Sequence, residues 1–89
     1  MKFGLLYEMQ RPFDGKEVDW NALYRETLDQ CELADQVGFD NLWFVEHHFL
    51  MGFSGSPCPE VIFGALSQRT KNIRIGFGVS ILPNHHPIR

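Results

Sequence analysis

The chain has 89 residues, 44% of them apolar and 21% charged, with a formal net charge of −3. This is the composition of one small globular unit rather than a disordered one, and without a Lys/Arg cluster it offers no footing for nucleic acid or for a polybasic membrane contact. Cys31 and Cys58 lack metal-type spacing, which fits a reduced, cytoplasmic chain. The first apolar run meets Glu8 too soon for a signal peptide, and no run reaches membrane-spanning length.

Residues 3–7 read as a first strand, with the polar Glu8 where it ends. Pro12 and the Asp14-Gly15 pair mark a loop. Asp19 is placed to cap a helix running to about Val37. Its apolar stripe is Trp20, Leu23, Tyr24, Leu28, Cys31, Ala34 and Val37, and Gly38 suits the left-handed position that stops a helix. Next comes Leu42-Trp43-Phe44-Val45-Glu46-His47-His48-Phe49. Four apolar residues without a break predict a strand buried on both faces, as in a parallel sheet. A carboxylate and two imidazoles at the end of such a strand point to a site, because ligands collect at the carboxyl ends of parallel strands.

A loop over 50–56, with Gly52 and Gly55, leads to a second helix starting at Ser56 or Cys58. Pro57 and Pro59 fall near its first turn, where proline is tolerated. Its stripe is Val61, Ile62, Ala65 and Leu66, and Arg69 and Lys71 are expected at its favourable, C-terminal end. Residues 73–81 alternate apolar and polar and predict a third strand. Gly76 and Gly78 inside it suggest a bulge or a close approach to something. His85 and His86 read as part of a polar strand-exit loop. Strand–helix–strand–helix–strand with helical crossovers predicts a parallel α/β sheet with right-handed connections. Three such strands leave open edges and close nothing, so residues 1–89 are expected to form the first portion of a larger eightfold barrel.

Three segments carry a family likeness: Met1-Lys2-Phe3-Gly4, then Gly38-Phe39-Asp40 with Glu46-His47-His48-Phe49 after the apolar run, then Ile75-Gly76 through Leu82-Pro83-Asn84-His85-His86-Pro87-Ile88-Arg89. Together they resemble the luciferase-like flavin-dependent monooxygenases, which are (β/α)8 barrels. The resemblance implies reduced FMN as cofactor, or the deazaflavin F420 in one branch, with O2 and a small organic molecule as substrates. It implies that His47 is the active-site histidine, doing acid–base work beside the flavin and its substrate. Glu46 and His48 would shape the pocket around the cofactor, and Gly78 and Val79 would form a cis peptide backing the flavin ring. The flavin phosphate site would lie in later strands, so the 89 residues alone are expected to have little activity and to associate through their open sheet edges.

Other readings of the same residues stand beside this one. A satisfied structural histidine explains a lone strand-end His as well as a reactive one does. On an extended strand Glu46 and His48 share one face and His47 takes the other. Glu8, Glu46, His47, His48, His85 and His86 could supply metal ligands, as in a metal hydrolase. That reading ranks below flavin, because adjacent histidines diverge on a strand and no His-x-His or His-x-x-x-His spacing occurs. An F420-dependent oxidoreductase and a non-catalytic chain that only packs against a partner complete the alternatives.

Overall fold

The computed structural model describes residues 1–10, 14–50 and 53–89. The expectations at Pro12 and Gly52 lie outside the described residues. In order, the elements are β1 (Gly4–Tyr7), α1 (Trp20–Val37), β2 (Asn41–Phe44), α2 (Pro59–Leu66) and β3 (Arg74–Phe77), followed by a 3-10 turn at Leu82–Asn84. The three strands form one parallel sheet in the order β1-β2-β3. The α/β alternation expected from the sequence is therefore what the chain adopts.

Local chemistry sets the ends of α1. The Asp19 carboxylate accepts from the Ala22 amide at 2.9 Å, which satisfies one of the amides a helix start leaves free. Gly38 adopts φ 93°, a left-handed conformation that costs a residue without Cβ little. Downstream, the Asp35 carboxylate accepts the amides of Lys71, Asn72 and Ile73 and so ties the entry of β3 to the end of α1.

The core lies on one face of the sheet only. Leu42 and Phe44 of β2 are fully buried beneath Leu23, Cys31 and Ala34 of α1 and Ile62 and Leu66 of α2. Tyr7 stacks on Phe44, and Phe63 meets both Phe44 and Phe77 edge-on, joining all three strands to α2 through aromatic rings. Burial raises the pKa of the Tyr7 hydroxyl and pushes the Cys31 thiol up to about 11, so Cys31 behaves as a small core residue and not as a nucleophile.

The opposite face departs from the sequence reading. The β2 strand is not buried on both sides: Trp43 is 43% exposed and its β1 neighbour Leu6 is 58% exposed. Among the described residues no helix covers this face, and alternate residues of each strand point to it. The Trp43 ring also explains the glycines of β3. A Cβ at Gly76 would come within 2.9 Å of that ring, and one at Gly78 within 3.2 Å of the Trp43 Cβ and 3.3 Å of Leu6. The close approach anticipated for these glycines is to Trp43 itself.

Three further expectations are corrected. β3 is shorter than residues 73–81: it ends at Phe77 and Val79 is exposed, while the Gly78–Val79 peptide is cis, as the resemblance implied. The Gly78 amide still donates to the Phe44 carbonyl, after which the chain turns toward Glu46 instead of extending the ladder. Helix α2 stops at Leu66, where the amide and hydroxyl of Thr70 take the Leu66 carbonyl, so Arg69 and Lys71 lie beyond it. Arg69 pairs instead with Asp29 and Glu32 of α1. Finally, the stripes shift. Val37, Val61 and Ala65 are exposed, whereas Thr27 is buried, with its hydroxyl donating to the Leu23 carbonyl one turn back.

Candidate functional site

The carboxyl ends of the three strands place two carboxylates and three imidazoles close together, in two separate groups. The first group centres on Glu46, which is 3% exposed. Nε2 of His48 donates to it at 2.8 Å, and Nε2 of His85 lies 2.9 and 3.0 Å from its two oxygens. The Ile81 amide donates at 2.8 Å and the Ser80 hydroxyl at 3.3 Å. A carboxylate accepts only, so each ring presents an N–H to it. These donors hold the Glu46 carboxyl down at about 2, below its ordinary 4.5: His48 contributes most, then His85, with burial opposing and the Ile81 amide assisting. Glu46 is thus a fixed anion that joins the exit of β2 to the exit of β3. The Nδ1 of His85 is buried without a partner among the described residues.

The second group is Glu8 and His47. Their Oε2 and Nε2 atoms lie 3.4 Å apart, and the side chains are 38% and 34% exposed. Glu8 directly follows β1 and His47 lies a few residues past the end of the neighbouring parallel strand β2, so both side chains emerge at the carboxyl end of the sheet. The 53–56 segment braces both. The Ser54 hydroxyl donates to the Glu8 carbonyl, the Gly55 amide to the Met9 carbonyl, and the His47 amide to the Ser56 carbonyl. Gly55 itself packs on Trp20, and its carbonyl accepts from the Tyr24 hydroxyl, so this segment is anchored to α1. Phe53 meets the His47 ring edge-on at 6.1 Å.

The structure separates the three consecutive polar residues in the alternating sense expected, although β2 itself ends before them at Phe44. Glu46 and His48 go to the buried cluster, and His47 goes to the half-exposed pair. Gly78 and Val79 lie at the end of β3, with Gly78 against Trp43 and Leu6. Sequence reasoning undervalued His85. It is not merely a loop residue but a ligand of the Glu46 carboxylate across 39 positions of chain. No local signal marks such a pairing; only its position after β3, beside the exit of β2, could have suggested it. His86 is exposed, as expected. Among the described residues no group of three or more His, Cys, Asp or Glu side chains has the arrangement to hold a metal ion, and no helix is long and apolar enough to cross a membrane.

For the ring of a flavin the residues fit. Leu6, Trp43 and Val79 offer exposed apolar surface near the strand ends, and the imidazole of His47 is accessible.

The chain is similar to several known proteins. The flavin-dependent trigonelline monooxygenase oxygenase component of Acinetobacter baylyi is 35% identical over all 89 residues, which span 24% of that protein. Limonene 1,2-monooxygenase of Rhodococcus erythropolis is 37% identical over 76 residues, 85% of this chain and 19% of the relative. Among solved structures, the oxygenating constituent of 3,6-diketocamphane monooxygenase from Pseudomonas putida, a type II Baeyer–Villiger monooxygenase in complex with FMN, superposes with a TM-score of 0.84 at 27% identity, covering 98% of this chain and 23% of that one. The chain thus spans about a quarter or less of the length of these relatives. The luciferase-like monooxygenase family model matches residues 1–89, the whole chain, and the protein belongs to that family.

Proposed function

We propose that residues 1–89 form the opening β/α units of a (β/α)8 barrel and supply the His47 wall of a flavin-dependent monooxygenase site. The observation that carries this reading is the half-exposed His47–Glu8 pair at the strand carboxyl ends, in a chain matched along its whole length by the family. FMN is favoured over F420 because the solved relative holds FMN. Reduced flavin, when bound, supplies the electrons for O2 and for oxidation of a small organic substrate. The chain's own residues bind and orient. Leu6, Trp43, Gly78 and Val79 form an apolar floor for the ring, and Glu46 and His48 hold the wall behind it. His47 exchanges a proton with the reacting species, a task imidazole side chains perform in general acid–base catalysis.

The free edges of β1 and β3 would be covered by further strands of the barrel or by association with another chain. Cys31 and Cys58 are free thiols, which suits work in a reducing cytoplasm.

The test is a fluorescence titration with FMN, oxidised and reduced, on the 89-residue protein and its His47→Ala variant. Micromolar binding weakened by the substitution is the expected result for a floor that holds the ring unaided. Absence of binding assigns the ring to contacts that further strands provide. Turnover in the intact enzyme then decides the role of His47: His47→Ala should cost roughly 100-fold or more, the scale of a lost proton-transfer group, and a loss no larger than that of His86→Ala would overturn the assignment.

A further inference from the structure

Three imidazoles stand at the strand ends, and each faces a carboxylate through Nε2. Two of them are consumed by one buried anion. The third, His47, faces a different carboxylate, one that remains partly in solvent. From this we infer that Glu8 is the positioning residue of His47: it holds the ring with its proton on Nε2 and leaves Nδ1 as the nitrogen that takes up a proton. The inference deepens the functional reading above and rests on it for the role of His47, but the geometry stands on its own.

Three observations support it. First, Glu8 can only accept when ionised, so the nitrogen facing it is stabilised as N–H, and in a neutral imidazole the lone pair then resides on the other nitrogen. Second, Nε2 is the His47 ring nitrogen found within ion-pair distance of Glu8, at 3.4 Å; this is longer than a good hydrogen bond and is compatible with a contact that tightens when a ligand arrives. Third, the backbone on both sides is held by one segment. Ser54 and Gly55 hold the Glu8 and Met9 carbonyls, and the Ser56 carbonyl holds the His47 amide, so the backbones that carry the two side chains are tied to one segment. Met9, which follows Glu8 and whose carbonyl accepts from the Gly55 amide, has φ 55°, an uncommon conformation for a residue with a Cβ. Such support from behind is how a pair is preorganised for work. The arrangement parallels a carboxylate–histidine dyad, in which the acid sets the tautomer and the orientation of the ring without itself giving up or taking the reacting proton.

The tautomer is directly observable. Two-dimensional NMR correlating the imidazole nitrogens with the ring carbon-bound protons separates Nε2–H, Nδ1–H and mixed rings. The 89-residue protein is measured at alkaline pH, where neutral rings are seen. The expected result is an Nε2–H pattern for His47 that becomes a mixture of tautomers in Glu8→Ala and is restored in Glu8→Gln, whose carboxamide oxygen still accepts. His48 and His85 are held by Glu46 and report the fold; their Nε2–H patterns should be unchanged in both variants. A His47 ring found as Nδ1–H or as a mixture in the unsubstituted protein overturns the inference. So does an Nε2–H pattern that survives Glu8→Ala. Should His48 and His85 also change in Glu8→Ala, Glu8→Gln decides: retention of Nε2–H at His47 supports the inference and a mixture overturns it. None of these readouts involves flavin. A correct tautomer in a protein whose turnover ignores His47 would sink the functional reading and leave the dyad standing.

Discussion

Two carboxylates at the same end of one small sheet each meet imidazole through Nε2, yet they are built for different purposes. Glu46 is buried and surrounded by four donors, from His48, His85, Ser80 and the Ile81 amide. Glu8 is more than a third exposed and meets His47 at 3.4 Å. Desolvation makes an unmade bond at Glu46 expensive, so that site is filled by the protein itself. Water can take the place of either partner at Glu8 and His47, so that pair stays open to exchange with a ligand. The residue types alone are the same in both. What separates a closed clasp from an open pair is how many of the available hydrogen-bonding positions the protein has already used.

The contrast can be broken in order of expected effect. Glu46→Ala should destabilise most, by about 2–3 kcal/mol, the scale of lost hydrogen bonds to a charged group with buried partners left unsatisfied; urea unfolding measures it, and a change below about 0.5 kcal/mol would remove the distinction drawn here. Acid should act on the same group. The folded Glu46 carboxyl titrates at about 2 against an ordinary 4.5, so its stabilisation is present in full above pH 4.5 and declines as pH falls toward 2. Glu46→Gln should flatten that part of the stability–pH curve, and an unchanged slope would show the carboxylate to be unpaired in solution.

Smaller effects sharpen the comparison. His85→Ala should cost about 1–2 kcal/mol through loss of a charge-assisted bond, while His86→Ala, at an exposed position, should stay within about 0.5 kcal/mol. Equal costs would mean that the bond to Glu46 adds nothing. Last, His47→Ala should leave stability within about 0.5 kcal/mol, as expected of a half-exposed pair. A large loss of stability there would make His47 a structural residue like His85.

How far this was legible beforehand depended on range. Features set within a turn or two of chain were readable: the Asp19 cap, the Gly38 stop and the alternation of strand and helix follow from local chemistry and from the spacing of apolar residues. The alternation rule also separated Glu46 and His48 from His47 correctly. What failed depended on partners distant in sequence. Trp43 was assigned to a buried face because an unbroken apolar run carries no mark of which side a helix will cover. The third strand was drawn too long because Ile81 and Ser80 fit its alternation, while the Glu46 that draws them away lies about 35 positions earlier. His85 was passed over for the same reason. Glu8 stands at a strand end in the sequence, but its contact with His47 is visible only in the folded chain.

The slot that the β3 glycines leave for Trp43 has an optical consequence. The indole lies on the uncovered face of the sheet, 43% exposed, whereas the molecule's other tryptophan, Trp20, is packed against Gly55. Its emission therefore senses whatever comes to rest on that face. Contact with another apolar surface shifts it to the blue, and a flavin ring within a few ångströms quenches it. The protein carries its own gauge of whether this side of the sheet is bare or occupied, and of when that changes.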